Sequence, residues 1–176
     1  YVMDETNRDD IPEILSVLYI KEANSEISLE EVQNELAYFN NKAKKFNLNV
    51  ASINDLDSRE KISKIMNSNH ILLNIDNNKS YGTFGLIGMA YGLTVLSNNE
   101  MTNHPRWDSF KVSTVLHTKK DTLRNRLHGI SMEPRCLRDF AKRGRKFARL
   151  QHSADKISHL ILKEYSMLID AKNSCP

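Results

Sequence analysis

The sequence is poor in the residues that carry most recognisable chemistry. Of its 176 residues two are cysteine (Cys136 and Cys175), one is tryptophan (Trp107), and only six are glycine and four proline. Two thiols build no disulfide framework and fit no CxxC metal spacing, so a reducing compartment is the default. No apolar run approaches 18 residues. The longest candidate, "YGTFGLIGMAYGLTVL" at residues 81–96, is broken by four glycines, which argues against a membrane span. The glycines fit neither GxGxxG nor GxxxxGK[ST]. The six histidines are scattered: His104, His117, His128 and His152 form no HExxH or HxH group. Cys136 lies between Arg135 and Arg138 without a partner motif, and reads as a small buried residue more readily than as a nucleophile. The carboxylates fall on helical segments as solvated faces. No metal, cofactor or enzymatic site is indicated. The chain opens at Tyr1 with neither Met nor a signal-type leader, as expected of the ordered part of a longer polypeptide.

What the sequence does have is an uneven charge. Residues 1–100 carry 9 basic and 15 acidic side chains, whereas residues 101–176 carry 16 basic and 7 acidic. The basic half implies a polyanionic partner. Its centre is "RCLRDFAKRGRKFARL", residues 135–150, with seven Arg or Lys in sixteen positions. Wound as a helix, Leu137, Phe140, Ala141, Gly144, Phe147 and Ala148 share one side. Arg138, Lys142, Arg145 and Arg149 form a separate row flanked by Arg135 and Lys146, with Asp139 the only acid. Like charges at i,i+4 repel, and Arg suits phosphate oxygens. Lys119, Lys120, Arg124 and Arg126 make a second patch. Trp107 and Phe110 are the only aromatic residues near it, so the set grips a backbone rather than reading bases.

Pattern and punctuation give a chain of helices. A short one is expected from Pro12 through "EILSVLYI". The clearest begins at Ser28, whose capping box with Glu31 precedes Leu29, Val32, Leu36, Phe39 and Ala43 at helical spacing. Another spans Ser58 to Met66. "HILLNI" is a short strand or a buried turn, residues 81–97 a buried helix, and "FKVSTVLH" a strand or hairpin arm. Gly129 stops the polar segment before Pro134, and a last helix follows in "SADKISHLILKEYSMLID". The expected fold is mainly α: a helical-bundle core with a small β-hairpin and extended terminal arms. Residues 1–20 form an inter-subunit arm and 21–176 a single core.

The order of "GLIGMAYGLTVLSNN", a polar loop ending at Trp107, about 25 mixed residues and "PRCLRDFAKRGRKFA" resembles the core of coat proteins of flexible filamentous plant RNA viruses, of the potyvirus and potexvirus kind, over residues 82–150. The resemblance implies that Arg138, in the pair Leu137-Arg138, grips genomic single-stranded RNA, and that Ser97 takes the place of an upstream RNA-site Ser. It also implies polymerisation into a helical capsid, a virion and host-cytoplasm location, and no enzymatic role. The family's later Ala-Phe-Asp-Phe block is absent. Two alternatives share the basic helix: a DNA-binding regulator using residues 135–150 as a recognition helix, and a negative-strand virus nucleoprotein.

Overall fold

The computed structural model describes residues 11–21, 25, 27–41, 45–75, 83–98, 115–118, 120–159 and 161–163. Its centre is a sheet of five parallel strands: β1 (Leu15–Lys21), β2 (Phe46–Ser52), β3 (Ile71–Asn74), β4 (Thr94–Ser97) and β5 (Val115–His117), in the order β2-β1-β3-β4-β5. Helices α1 (Leu29–Asn40), α2 (Arg59–Asn67), α3 (Thr83–Ala90), α4 (Lys120–Met132) and α5 (Cys136–His152) pack around it, and residues 154–159 and 161–163 are helical as the sequence predicts. The fold is therefore a parallel α/β sheet wrapped on both faces, not a helical bundle with a hairpin.

The expectation fails at β1 for a physical reason. A parallel strand covered on both faces is apolar at consecutive positions rather than alternating ones. In "LSVLYIK" Leu15, Val17, Leu18, Tyr19 and Ile20 are all buried, and the run imitates a short buried helix. β3 and β4 are buried at all four positions in the same way. β1 pairs with β2 on one side and β3 on the other, so residues 15–21 belong to the sheet rather than to an arm. Residues 1–10 lie outside the described set.

The stretch 81–97, expected as one helix, is helix α3 followed by strand β4. The break is a Schellman cap. Leu93 N–H donates to the Gly88 carbonyl at 2.9 Å and Gly92 N–H to that of Met89 at 3.0 Å, with Gly92 at φ 76°. Only glycine takes that conformation freely. The Ser28–Glu31 capping box of α1 is present as the sequence predicts. The helix expected from Ser58 to Met66 is α2, with Ser58 as its cap. Gly129 does not stop α4 but lies inside it.

Each sheet face has its own core. On one, Val17, Tyr19, Ile71, Leu73 and Leu96 meet Val32, Leu36 and Phe39 of α1 and Leu123, Leu127 and Ile130 of α4. On the other, Leu18, Ile20, Leu72 and Val95 meet Met66, Met89 and Leu93. Helix α5 joins both. Its first turn adds Leu137 to the α1/α4 core, and its last turns add Phe147 and Ala148 to the other. Between them it passes the start of β4, where Thr94 Oγ1 donates to the Leu137 carbonyl at 3.3 Å. The apolar stripe expected for residues 135–150 is the stripe that crosses. Burial of a side chain such as Phe147 removes it wholly from water and contributes about 2–3 kcal/mol.

Candidate functional site

A parallel sheet has two unlike ends. At the carboxy end the chain leaves each strand for a crossover, and the order 2-1-3-4-5 reverses direction between β1 and β3. Connections diverge at such a switch point and leave a crevice outside the strand ends, where open α/β sheets bind ligands.

In this molecule the carboxy end is marked by polarity. Asn74 closes β3, Ser97 closes β4, Asn98 follows it and Thr118 follows β5; all four are buried, in a sheet whose interior positions are otherwise almost wholly apolar. Thr118 N–H donates to the Ser97 carbonyl at 2.8 Å, which holds the ends of β4 and β5 together. Helix α3 begins at this end, so the positive end of its dipole lies on the carboxy side of the sheet. The Asn74 amide lies against it: a Cβ added at Gly85 would sit 3.1 Å from Asn74 Nδ2. The arrangement offers amide and hydroxyl groups and a helix N-terminus, a donor-rich surface for an anionic or polar ligand. Buried polar groups need partners; at the amino end Asn69 and Thr94, also buried, find them within the fold, Asn69 with Asn49 and the Ile65 carbonyl and Thr94 with the Leu137 carbonyl.

Of the residues singled out in the sequence, only Ser97 lies here. Asn74, Asn98 and Thr118 were missed. The available signal was a polar residue directly after each buried run, as in "ILLN" and "TVLSN".

The basic residues lie elsewhere. Arg145 packs at the amino end of β4, where a Cβ on Gly92 would meet its Nη1 at 2.7 Å, and Gly144 sits against Met89. Lys142, Lys146 and Arg149 are exposed on α5. Arg143 lies over the Phe140 ring, 4.7 Å from its centroid. Arg135 and Arg138 line a cleft at the amino end. Arg124 is a structural tie: its Nε and Nη2 donate to Glu35 at 2.6 and 3.0 Å, and it covers the Tyr38 ring. The Glu35 carboxylate pushes the Arg124 pKa up. Arg126 is exposed on the same helix. Of the described members of the two basic patches, Arg135 and Arg138 line the amino-end cleft, and Arg124 and Arg126 are not among its lining residues. His128 stacks on Phe39, while Lys119, Trp107 and His104 fall outside the described residues. Burial, then Glu133 and Asp139, push the Cys136 thiol above its ordinary range despite Arg143, as suits a packed rather than a reactive side chain.

No protein-family model matches the chain, and no curated protein does. Solved structures do. The crystal structure of WaaG, a glycosyltransferase involved in lipopolysaccharide biosynthesis, superposes with a TM-score of 0.59 at 14% identity, over 82% of this chain and 45% of that one. A glycotransferase of kitacinnamycin gives a TM-score of 0.49 at 12% identity, over 88% and 44%. The likeness is one of fold. This chain spans less than half the length of either protein.

These findings overturn the coat-protein resemblance and what it implied. A parallel α/β sheet shared with a glycosyltransferase replaces the expected α bundle. The virion location, the non-enzymatic role, the DNA-binding regulator and the nucleoprotein fall with it, because each rested on an α-helical fold that the parallel sheet and its likeness to a glycosyltransferase replace. The apolar side of residues 135–150 does face the core, as the spacing predicts, and it closes both cores of the sheet. Among the described residues no helix is long and apolar enough to cross a membrane.

Proposed function

We propose that this chain is the donor-binding part of a glycosyltransferase, with the crevice at the carboxy ends of β1, β3 and β4 as the site for a sugar linked to a phosphate leaving group. The observation that carries the reading is the fold likeness to WaaG over 82% of the chain. The buried polar layer Asn74, Ser97, Asn98 and Thr118 at the switch-point end supports it. In glycosyl transfer the bond from the anomeric carbon to the phosphate oxygen breaks, its electron pair stays on the phosphate, and an acceptor hydroxyl bonds to the carbon and gives up its proton. Negative charge grows on the leaving phosphate. The N-terminus of α3 is suited to stabilise it, being a fixed dipole that needs no reorganisation during the reaction. Asn74 and Ser97 supply hydrogen bonds that orient the ligand.

Isothermal titration with uridine, guanosine, adenosine and cytidine diphosphates tests this. One of them is expected to bind, and Asn74→Ala to weaken it about tenfold, the value of one hydrogen bond to a charged group. Absence of binding by all four, with the protein folded by circular dichroism, would overturn the reading.

A further inference from the structure

The other end of the sheet carries a second concavity. Residues leading into β1 (Ile11, Pro12, Glu13 and Leu15), Lys45 just before β2, and Pro134, Arg135 and Arg138 at the α4–α5 junction enclose a cleft of about 420 Å³. That volume suits a small molecule. The junction is a tight turn: Cys136, Leu137 and Arg138 N–H groups each donate to the carbonyl three residues back, at 3.0 to 3.1 Å. It sets Arg135 and Arg138 on the same side at i,i+3. Leu137 between them is buried in the α1/α4 core and anchors the pair.

Three cations face this cleft against one carboxylate, Glu13. Among the described residues no salt bridge involves Arg135, Arg138, Lys45 or Glu13, in contrast to Arg124, whose charge Glu35 takes up. Glu133 and Asp139 flank the turn in sequence, and Lys142 follows one turn on. The remaining lining is Ile11, Pro12, Leu15 and Pro134, all apolar, and Ser131. Two forked guanidiniums and an ammonium in a cleft with apolar lining match a terminal phosphate on a small organic body. We propose that this amino-end cleft binds a phosphate monoester, with Arg135 and Arg138 clamping the phosphate, Lys45 across from them and the apolar lining covering the organic part. The site lies at the end of the sheet opposite the donor crevice and does not depend on the glycosyltransferase reading. A ligand there is placed to act on α5 and the junction rather than on the transferred sugar.

Titration calorimetry with inorganic phosphate and glycerol 3-phosphate, and flotation with phosphatidylcholine vesicles containing or lacking phosphatidic acid, distinguish a soluble from a lipid-borne phosphate. Binding of either monoester source is expected, and glycerol 3-phosphate should bind more tightly than inorganic phosphate because of the apolar lining. Arg135→Gln with Arg138→Gln should weaken binding by a hundredfold or more, on the order of tenfold for each lost charge-assisted contact, and Arg138→Lys should be intermediate. Lys146→Ala and Arg149→Ala, farther along α5, should leave it unchanged. Unchanged nucleoside diphosphate binding in the double variant shows that the protein is folded and separates this site from the donor crevice; if no diphosphate binds the parent protein, an unchanged melting curve serves the same purpose. The proposal is overturned if neither monoester source binds, if the double variant binds as well as the parent, or if Lys146→Ala and Arg149→Ala lose as much. It is also overturned if single-stranded RNA alone binds, with a salt dependence spread over the whole basic row, since that describes a polyanion face and not a cleft.

Discussion

Both ends of the sheet bury neutral polar residues, Asn69 and Thr94 at the amino end among them, but the amino-end cleft adds full charges. The carboxy end presents neutral polar groups, Asn74, Ser97, Asn98 and Thr118, buried at the tips of the strands beside a helix N-terminus. The amino end presents full charges, Arg135, Arg138 and Lys45, around a cleft open to solvent, Arg138 from the first turn of α5. Both suit anions, by different physics. Buried dipoles act at short range and are little screened, so the carboxy end should hold its ligand by geometry and tolerate salt. Exposed charges attract at a distance and are screened over about 8 Å at physiological ionic strength. The net charge of a sequence segment therefore points to the amino end and says nothing of the other.

Removing β1 should have the largest effect, because it is the one strand whose two ends border both regions at once. It pairs through seven positions with β2 and three with β3, and supplies Leu15, Val17, Leu18, Tyr19 and Ile20 to the two cores. Deletion of residues 1–20 should leave no cooperative unfolding transition in urea, and neither ligand should bind. A cooperative transition after the deletion would mean that the ends are organised by separate substructures, and the comparison would lose its common frame.

Two glycine-to-alanine exchanges, one at each end, sharpen the contrast. Gly92 at the amino end has a positive φ, and an added Cβ would meet Arg145 at 2.7 Å. Strain in that backbone region costs about 1–3 kcal/mol, so Gly92→Ala should lower stability by that amount. Gly85 at the carboxy end lies inside α3, where Ala is preferred by up to about 1 kcal/mol. Its added Cβ would press on Asn74 Nδ2 at 3.1 Å. Gly85→Ala should therefore leave the urea midpoint close to that of the parent while weakening nucleoside diphosphate binding. If instead Gly85→Ala unfolds the protein, the Asn74 contact belongs to the core and not to a site.

Sequence patterning read the amphipathic elements well and the fully buried ones badly. Ser28 with Glu31, the face of α1 and the apolar stripe of α5 were visible because one side of each helix meets water and the other does not. β1 and β4 have no wet side, so neither period shows, and "LSVLYIK" reads as a helix, while β3, as short and as buried, stays between a strand and a buried turn. β2 was not recognised, although "FNLNVAS" at the sheet edge alternates in its first residues. The candidate site suffered from the same asymmetry. Arg and Lys are conspicuous in a sequence, whereas Asn74 or Thr118 gains meaning only when the parallel register brings the strand ends side by side.

A glycine that belongs to neither end gives a smaller effect of opposite sign. Gly129 lies in α4 with nothing within 4 Å of an added Cβ. Gly129→Ala should stabilise by about 0.5–1 kcal/mol through helix propensity alone, read as a higher urea midpoint with both affinities unchanged. A change in either affinity would show that α4 communicates with that end.

The smallest effect is expected at Arg124, which composition alone groups with the anion-binding residues. Its guanidinium makes two bonds to Glu35 and covers Tyr38, so α4 is tied to α1 on the outer side of one face. Its side chain is 53% exposed, and water and salt screen exposed pairs, so Arg124→Ala should shift the urea midpoint only slightly. The shift should shrink further in about 1 M salt, where the screening length is near 3 Å. In a cycle with Glu35→Ala, the double variant should lose no more than Arg124→Ala alone, because that exchange already removes both the Glu35 contact and the cover on Tyr38. Both ligands should bind Arg124→Ala as they bind the parent. Should phosphate monoester affinity fall several-fold instead, the cationic region reaches around the α1/α4 face. The division into a neutral carboxy end and a charged amino end would then have to be redrawn with Arg124 inside the charged part.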